Sequence, residues 1–426
     1  MKDYTRLSAR AIALGVAQRE FTAEAVVQSL AERIASLDPE VRAWQHFDAH
    51  AALAQARIQD RRTDPLPLLG VPVGVKDVID TVDMPTTYGS PLYAQHRPSL
   101  DAASVASCRQ LGAVIMGKTV TTEFATFQPG PTRNPKASPR QARTPGGSSS
   151  GSAAAVAAGM VPVAFGTQTA GSIVRPASYC GVVGYKPTHG WLPLAGVKPL
   201  APSLDTLGVF TRGVDDAAFV VSALSGLALT LDAPARLRVG VCHTPHWERA
   251  SNDARRALAQ AARLLEGAGA SVTDITQPAS WAGLTQAQID IMGHEAFAAF
   301  APERATRPEL FSAAFTELLA VGELVDADQL RAARLLAEQA RVELAALFEE
   351  VDVLLAPSAE GEAPVGLAAT GNPIFNRLWT LLGAPCVQVP LGVGAQGLPI
   401  GVTVIGPRWR DAQALGVAAR LEHLAA

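Results

Sequence analysis

The sequence predicts an α/β fold in which helices pack over a largely buried sheet, and three observations carry that prediction. Short β-branched runs recur along the chain, at Leu68–Asp80, Ala113–Lys118, Val161–Gln168, Arg236–Cys242 and Val351–Pro357. Segments with apolar residues at helical spacing stand between them, at Phe21–Asp38, Ala49–Asp60, Asp101–Leu111 and Asp253–Glu266. Such interleaving is the pattern of helices layered on a sheet. The chain has 426 residues, 48% hydrophobic and 18% charged, enough to bury a sizeable core.

Each element has its own justification. In Phe21–Asp38, Thr22 stands where a helix N-cap belongs and the apolar residues that follow share one face. Leu68–Asp80 is compact and β-branched, so it reads as a buried strand and its exit. Near the C-terminus, Cys386–Gly392 and Leu398–Gly406 are two apolar runs separated by a Gly-rich turn, which reads as a hairpin. The Ala-rich helical block from about residue 281 to residue 348 reads as a cap or an insertion. No fixed-period repeat and no long linker divides the chain.

Bulk properties exclude several classes. A net charge of −3 provides no basic footprint for nucleic acid or an anionic membrane. Cys108, Cys180, Cys242 and Cys386 are scattered without a CxxC pair, which suits buried thiols in a reducing compartment. The N-terminal apolar run is too short for a signal-peptide core, and the uncharged stretches Thr144–Val174 and Leu378–Pro407 are broken by Gly and Pro. The expectation is a cytoplasmic protein without a membrane span. His243 and His246 beside Cys242 are spaced loosely like metal ligands but lack a further one, so no metal is expected.

The stretch "TPGGSSSGSAAAVAAG" (Thr144–Gly159) is the feature most in need of explanation. As a flexible linker it is too short and runs directly into apolar sequence. As a nucleophile elbow, with Ser149 attacking, it would need a strand before the turn. The preceding "TRNPKASPRQARTPG" has three prolines and cannot be a central strand. In a third reading, a serine hydroxyl held by unusual backbone relays a proton between a nucleophile and a base. Both partners are present. "GTQTAGSIVRP" (Gly166–Pro176) presents Ser172 among small residues, whose N–H groups can converge on an oxyanion. "GVPVGVKD" (Gly70–Asp77) ends an apolar strand with Lys76, a lysine whose desolvation favours the neutral base. Taken singly, Lys76 reads as an ion pair, perhaps with Asp77, and Ser148 and Ser172 as loop serines.

Together these segments resemble the amidase signature family in order and spacing. The resemblance extends through "DTLGVFTR" (Asp205–Arg212), "FNRLWTLLGAPCVQVP" (Phe375–Pro390) and "GLPIGVTVIGP" (Gly397–Pro407), so it covers nearly the whole chain. It implies one α/β domain over residues 1–426, a mixed sheet covered by helices on both faces, core motifs in 68–213 and C-terminal strands 386–406 returning to the core. It also implies a Ser–cis-Ser–Lys triad: Ser172 as acyl-forming nucleophile, Ser148 after a cis peptide bond, and Lys76 as base. The backbone of Thr169, Ala170, Gly171 and Ser172 would hold the oxyanion. Ser149 and Ser150 are then loop and helix-start residues, with Ser152 beginning a helix through Gly159. The chain departs from many members at Ser150, Ala170 and Gln168, and Arg175 lies three residues after the nucleophile rather than two. That arrangement is most similar to the short, malonamidase-like bacterial amidases, and makes Arg175 a candidate fork for a substrate carboxylate. The expected reaction is hydrolysis of a small carboxamide, malonamate-like or urea-like, without cofactor, with a small-molecule amide as partner and a homodimer left open. The alternatives are the glutaminase subunit of a tRNA-dependent amidotransferase and a catalytically silent binding protein of the same fold.

Overall fold

The computed structural model describes residues 3–426 and contains one eleven-stranded sheet. Its strands are β1 (Trp44–Phe47), β2 (Pro72–Lys76), β3 (Val114–Thr119), β4 (Val163–Gln168), β5 (Val183–Lys186), β6 (Thr206–Thr211), β7 (Arg238–Val241), β8 (Ser271–Asp274), β9 (Val353–Pro357), β10 (Cys386–Val393) and β11 (Pro399–Ile405). Their spatial order is β1-β3-β2-β4-β6-β5-β10-β11-β9-β7-β8. The sheet is mixed: β2 runs parallel to β3 and β4, and β7 parallel to β8 and β9. Every pairing from β4 through β6, β5, β10 and β11 to β9 is antiparallel.

Every residue of β2, β3, β4, β5, β6, β9 and β11 is buried. A strand buried at all positions must be covered on both faces. The expected helices Ala23–Val41, Ala49–Asp60, Ala103–Gln110 and Asn252–Gly267 are present, and Thr22 caps the first of them through the Ala25 N–H. The C-terminal runs form the expected hairpin, with Cys386 opposite Ile405. The block expected to be a cap holds the helices Leu284–Ala299, Ala313–Glu323 and Ala327–Glu350. Strands β1, β5, β6 and β8 have no counterpart among the sequence expectations. Gly184 and Gly208 interrupt the apolar runs of β5 and β6, and β8 is an exposed edge.

The serine-glycine stretch is the seam between sheet and helix. The helix begins at Ser150, the expected helix-start residue, two residues before Ser152, and runs to Ala157 rather than Gly159, fully buried for its first seven residues. Ser150 Oγ donates to the Val120 carbonyl, and Ser152 Oγ to the Phe165 carbonyl at 2.7 Å. These bonds join the first turn to the exit of β3 and the middle of β4, so buried hydroxyls are satisfied by backbone. Between them Gly151 donates its N–H to Val120, and a Cβ there would lie 2.2 Å from the Ala43 carbonyl oxygen. No side chain fits. We therefore expect Gly151→Ala to lower stability by about 1–3 kcal/mol through overpacking. Urea unfolding checks this, and a wild-type midpoint would mean that the helix start yields more than its packing implies.

Candidate active site

Lys76 is the last residue of β2 and Gln168 the last of β4, and the two strands are parallel neighbours. Both therefore deliver their C-terminal ends to the same edge of the sheet. Lys76 is fully buried, with Nζ 2.7 Å from Ser148 Oγ and 2.8 Å from Thr167 Oγ1. No carboxylate among the described residues contacts it. Burial holds its pKa well below the ordinary lysine value, against a weaker upward pull from Asp205. The neutral amine is thereby made accessible, and its lone pair can take a proton from the Ser148 hydroxyl.

The simpler reading of Lys76, an ion pair with Asp77, does not hold. Asp77 faces Lys118 instead, 3.5 Å away with both side chains fully buried. Lys118 also donates to the Ile79 carbonyl and to Thr86 Oγ1. Burial pushes the Asp77 carboxyl up and draws the Lys118 ammonium down to about 8, each opposed by the other's charge. Successive residues at the end of β2 thus have separate fates, because Asp77 has a cation of its own.

The peptide bond Gly147–Ser148 is cis. Ser149 is fully buried, with its hydroxyl bonded to the backbone carbonyl and N–H of Thr167, a placement unsuited to attack. Ser172 follows β4 by four residues. Its surroundings tie it to the Lys76–Ser148 pair from two sides. Thr167, earlier on the same segment, touches Lys76, and Arg175, three residues later, donates from Nη2 to the Gly147 carbonyl at 2.7 Å. The Ser172 hydroxyl has no hydrogen-bond partner among the described residues.

The turn before Ser172 is organised by its carbonyls. Gln288 Nε2 donates to the Thr169 carbonyl at 2.9 Å, Thr380 Oγ1 to the Ala170 carbonyl at 2.7 Å, and the Arg175 N–H to the Gly171 carbonyl at 3.0 Å. The N–H groups of Ala170, Gly171 and Ser172 have no partner among the described residues. Unpaired N–H groups in succession form an anion-binding concavity. Gly171 is required by close approach, since a Cβ would sit 2.5 Å from Asn376 Oδ1. Gln168, where many members carry Asp, accepts the N–H groups of Ile173 and Val174 with Oε1 and donates from Nε2 to Thr380. It caps the helix Val174–Cys180 as a carboxylate would, and steadies the donor to Ala170 besides.

A family model described as Amidase matches residues 25–415. The chain belongs to the amidase family, the one carrying the amidase signature. Amidases cleave or remake amide C–N bonds, and this chain is an enzyme of that kind. It is 34% identical to the glutamyl-tRNA(Gln) amidotransferase A-subunit of Acidothermus cellulolyticus, over 99% of this chain and 95% of the relative. Among solved structures, the peptide amidase of Stenotrophomonas maltophilia superposes with a TM-score of 0.79 at 28% identity, covering 99% of this chain and 97% of that one. The glutamyl-tRNA(Gln) amidotransferase A-subunit of Thermotoga maritima superposes with a TM-score of 0.80 at 28% identity, covering 98% and 94%.

In this amidase Arg175 is held mainly by oxygens of the protein. It is buried and meets no carboxylate among the described residues. Nε donates to the Thr370 carbonyl and Nη2 to Thr370 Oγ1 and the Gly147 carbonyl, while Nη1 is buried without a partner. Two of its three nitrogens therefore brace the loops beside Ser148 and only one remains for another group. Burial draws its pKa down to about 10. The cavity at Ser172 offers about 20 Å³ to solvent and is lined by Thr126, Phe127, Ala170, Arg175, Met292 and Leu318, among others. Met292 and Leu318 come from the helical block, which roofs the site.

Sequence reasoning missed Thr167, Gln288, Asn376 and Thr380. Nothing in the local sequence marks them out, and their roles become visible only once the fold is known. The two histidines share no ligand: His246 Nε2 lies 2.7 Å from Thr285 Oγ1, and the His243 ring lies tilted against Trp247. No His, Cys, Asp and Glu cluster among the described residues could hold a metal. All four cysteines are buried and free, and among the described residues no helix is long and apolar enough to cross a membrane.

Thr380 touches no reacting atom in this geometry, so it is a positioning residue. Thr380→Val should leave the Ala170 carbonyl unsatisfied, at about 1–3 kcal/mol of stability. With the turn released, kcat should fall about tenfold or more while KM changes little. Thermal unfolding and steady-state kinetics test the two halves separately. An unchanged kcat would mean that the turn keeps its shape without this bond.

Proposed function

We propose that this amidase hydrolyses a small carboxamide through an acyl-enzyme on Ser172. The observation that carries the proposal is the buried Lys76 amine, bonded to the Ser148 hydroxyl and free of any carboxylate. Ser172 Oγ attacks the amide carbonyl as its proton passes to Ser148, whose own proton passes to Lys76. The oxyanion settles among the N–H groups of Ala170, Gly171 and Ser172. The relay then returns a proton to the departing nitrogen, releasing ammonia or an amine. Water attacks the ester by the same route and frees Ser172. Water is the second reactant, and no redox step is needed.

The cavity chemistry narrows the substrate. Arg175 is its one charged lining residue, and Nη1 is the nitrogen still without a partner. An amide bearing a carboxylate would satisfy that nitrogen by a charge-assisted bond. Free glutamine fits less well, because its ammonium would face no carboxylate in the lining. A second reading nevertheless has a specific observation behind it: the 34% identity to an amidotransferase component across almost the whole chain. In that reading the chain releases ammonia from glutamine for a partner protein. The alignment with the Acidothermus relative spans 489 positions against the 426 residues of this chain, so at least 63 of them face gaps here.

Ammonia release from a panel of small amides, glutamine included, separates the readings. Turnover of carboxylated amides by the isolated chain supports the first, and turnover of glutamine only in the presence of partner proteins supports the second. Ser172→Ala should abolish turnover with the fold intact, and mass spectrometry with a slow substrate should find the acyl group on Ser172. Lys76→Ala and Ser148→Ala should each cost several orders of magnitude, and the double variant little more, because the relay fails as a unit. In the wild type, kcat/KM should fall as pH drops through the depressed Lys76 pKa, because the protonated amine accepts nothing, and should level off above it. A rate retained by Lys76→Ala would overturn the relay.

Arg175→Ala separates its two roles. Bracing is lost for every substrate, but an amide acid should suffer an additional loss relative to its methyl ester, about tenfold or more in kcat/KM. Equal losses on the matched pair would assign Arg175 to the loops alone.

A further inference from the structure

A second concavity lies away from Ser172, between the helix Ala327–Glu350 and the start of the C-terminal helix Asp411–Ala425. It measures about 440 Å³, within the range of about 300–1,000 Å³ common to small-molecule sites. Four arginines line it, Arg238, Arg341, Arg408 and Arg410, against two carboxylates, Glu349 and Asp352. Asp352 is committed: it accepts from Arg238 Nη2 at 2.9 Å and from the Arg238 backbone N–H. Three guanidinium groups are left facing one carboxylate.

Their hydrogen-bonding capacity is largely unspent. The side chains of Arg408 and Arg410 make no hydrogen bond or ion pair among the described residues. Arg341 donates from Nη2 to the Leu381 carbonyl at 2.8 Å, while its Nε is buried with no partner. The fifteen-residue helix Asp411–Ala425 begins at this wall with Arg410 as N-cap and no side chain capping its first turn. The first-turn carboxylate of Asp411 is turned away, onto Tyr185 and Thr188. Unspent guanidinium forks, a buried unpartnered Nε–H and an uncapped helix N-terminus share one preference, a compact oxyanion. A net charge of −3 over the whole chain makes this concentration of positive charge local, which suits a small ligand better than a nucleic-acid track.

We propose that this concavity is a binding site for a small polyanion, phosphate- or carboxylate-bearing, held by Arg341, Arg408 and Arg410. Its position gives the ligand a route to the reaction centre. Arg341 holds the carbonyl of Leu381, the last residue of the helix Arg377–Leu381, and Thr380 of that helix holds the Ala170 carbonyl. A ligand that draws on Arg341 acts on the same short helix that orients the turn before Ser172.

Binding is measured by titration calorimetry with pyrophosphate and, separately, citrate, at ionic strength matched with sodium chloride. The readout is independent of amide hydrolysis, so it stands or falls apart from the proposed activity. The expected result is saturable one-to-one binding of at least one probe, weakened roughly tenfold or more in R408Q/R410Q. Both arginines are exposed and unbonded, so that variant should keep the wild-type melting temperature without ligand. Binding of pyrophosphate alone would identify a phosphate ligand, and of citrate alone a carboxylate. Heats that vanish at matched ionic strength, or equal affinity in wild type and variant, would overturn the site. Hydrogen exchange with the bound probe should slow across residues 377–383 as well as 407–413. Unchanged exchange at 377–383 would overturn the link to the turn.

Discussion

An amine buried without a counter-charge is the constraint on which the rest of the site depends. Lys76 would be commonplace if Asp77 neutralised it, because a paired ammonium stays protonated and accepts nothing. The fold prevents that pairing by supplying Asp77 with Lys118, another fully buried lysine one strand away. With the acid satisfied elsewhere, Lys76 is left to two hydroxyls, Ser148 and Thr167. Two buried lysines at adjoining strand ends therefore do different work, one structural and one suited to proton transfer. Removing one partner of the Lys118–Asp77 pair would leave a buried charge, which is the costly way to break such a contact.

The turn before Ser172 meets a complementary requirement. Backbone donors can be aimed at a developing oxyanion only if the same peptides have somewhere else to put their carbonyls. Gln288, Thr380 and the Arg175 N–H supply that, each taking one carbonyl of Thr169, Ala170 and Gly171. Asp205 adds a lateral anchor by accepting from Thr169 Oγ1 and from the N–H groups of Leu200 and Ala201, and its burial raises its pKa to about 6. Free N–H groups at a reaction centre are thus the visible half of an arrangement whose other half lies behind the turn.

How much of this could be read from the sequence depended on whether the signal was local. Thr22 capping its helix and the strand ending at Lys76 follow from neighbours a few residues away, and both stand where pattern and propensity put them. The serine run was legible as special because its flanks forbade a linker. Its internal division of labour was not, since the duties of Ser149, Ser150 and Ser152 are set by the backbone of β3 and β4. The hardest positions were those joined over long separations. Thr380 meets Ala170 across 210 residues and Gln288 meets Thr169 across 119, and nothing in the local sequence around either marks it out. Arg175 was recognisable as unsolvated, but not as a brace, because its acceptors are carbonyls on two loops.

The roof of the Ser172 cavity has an evolutionary consequence. Met292 and Leu318 come from one contiguous helical block, while the amine, the hydroxyls and the free N–H groups all lie between residues 76 and 172. On the proposed mechanism, inheritance can therefore reshape the roof, and with it the acyl groups admitted, without redrawing the proposed reaction centre. Threads cross the division, among them the bond from Gln288 to the Thr169 carbonyl and that from the Ser312 N–H to the Glu123 carboxylate. A lineage exploring new amides is free at its roof everywhere except where it also holds the floor.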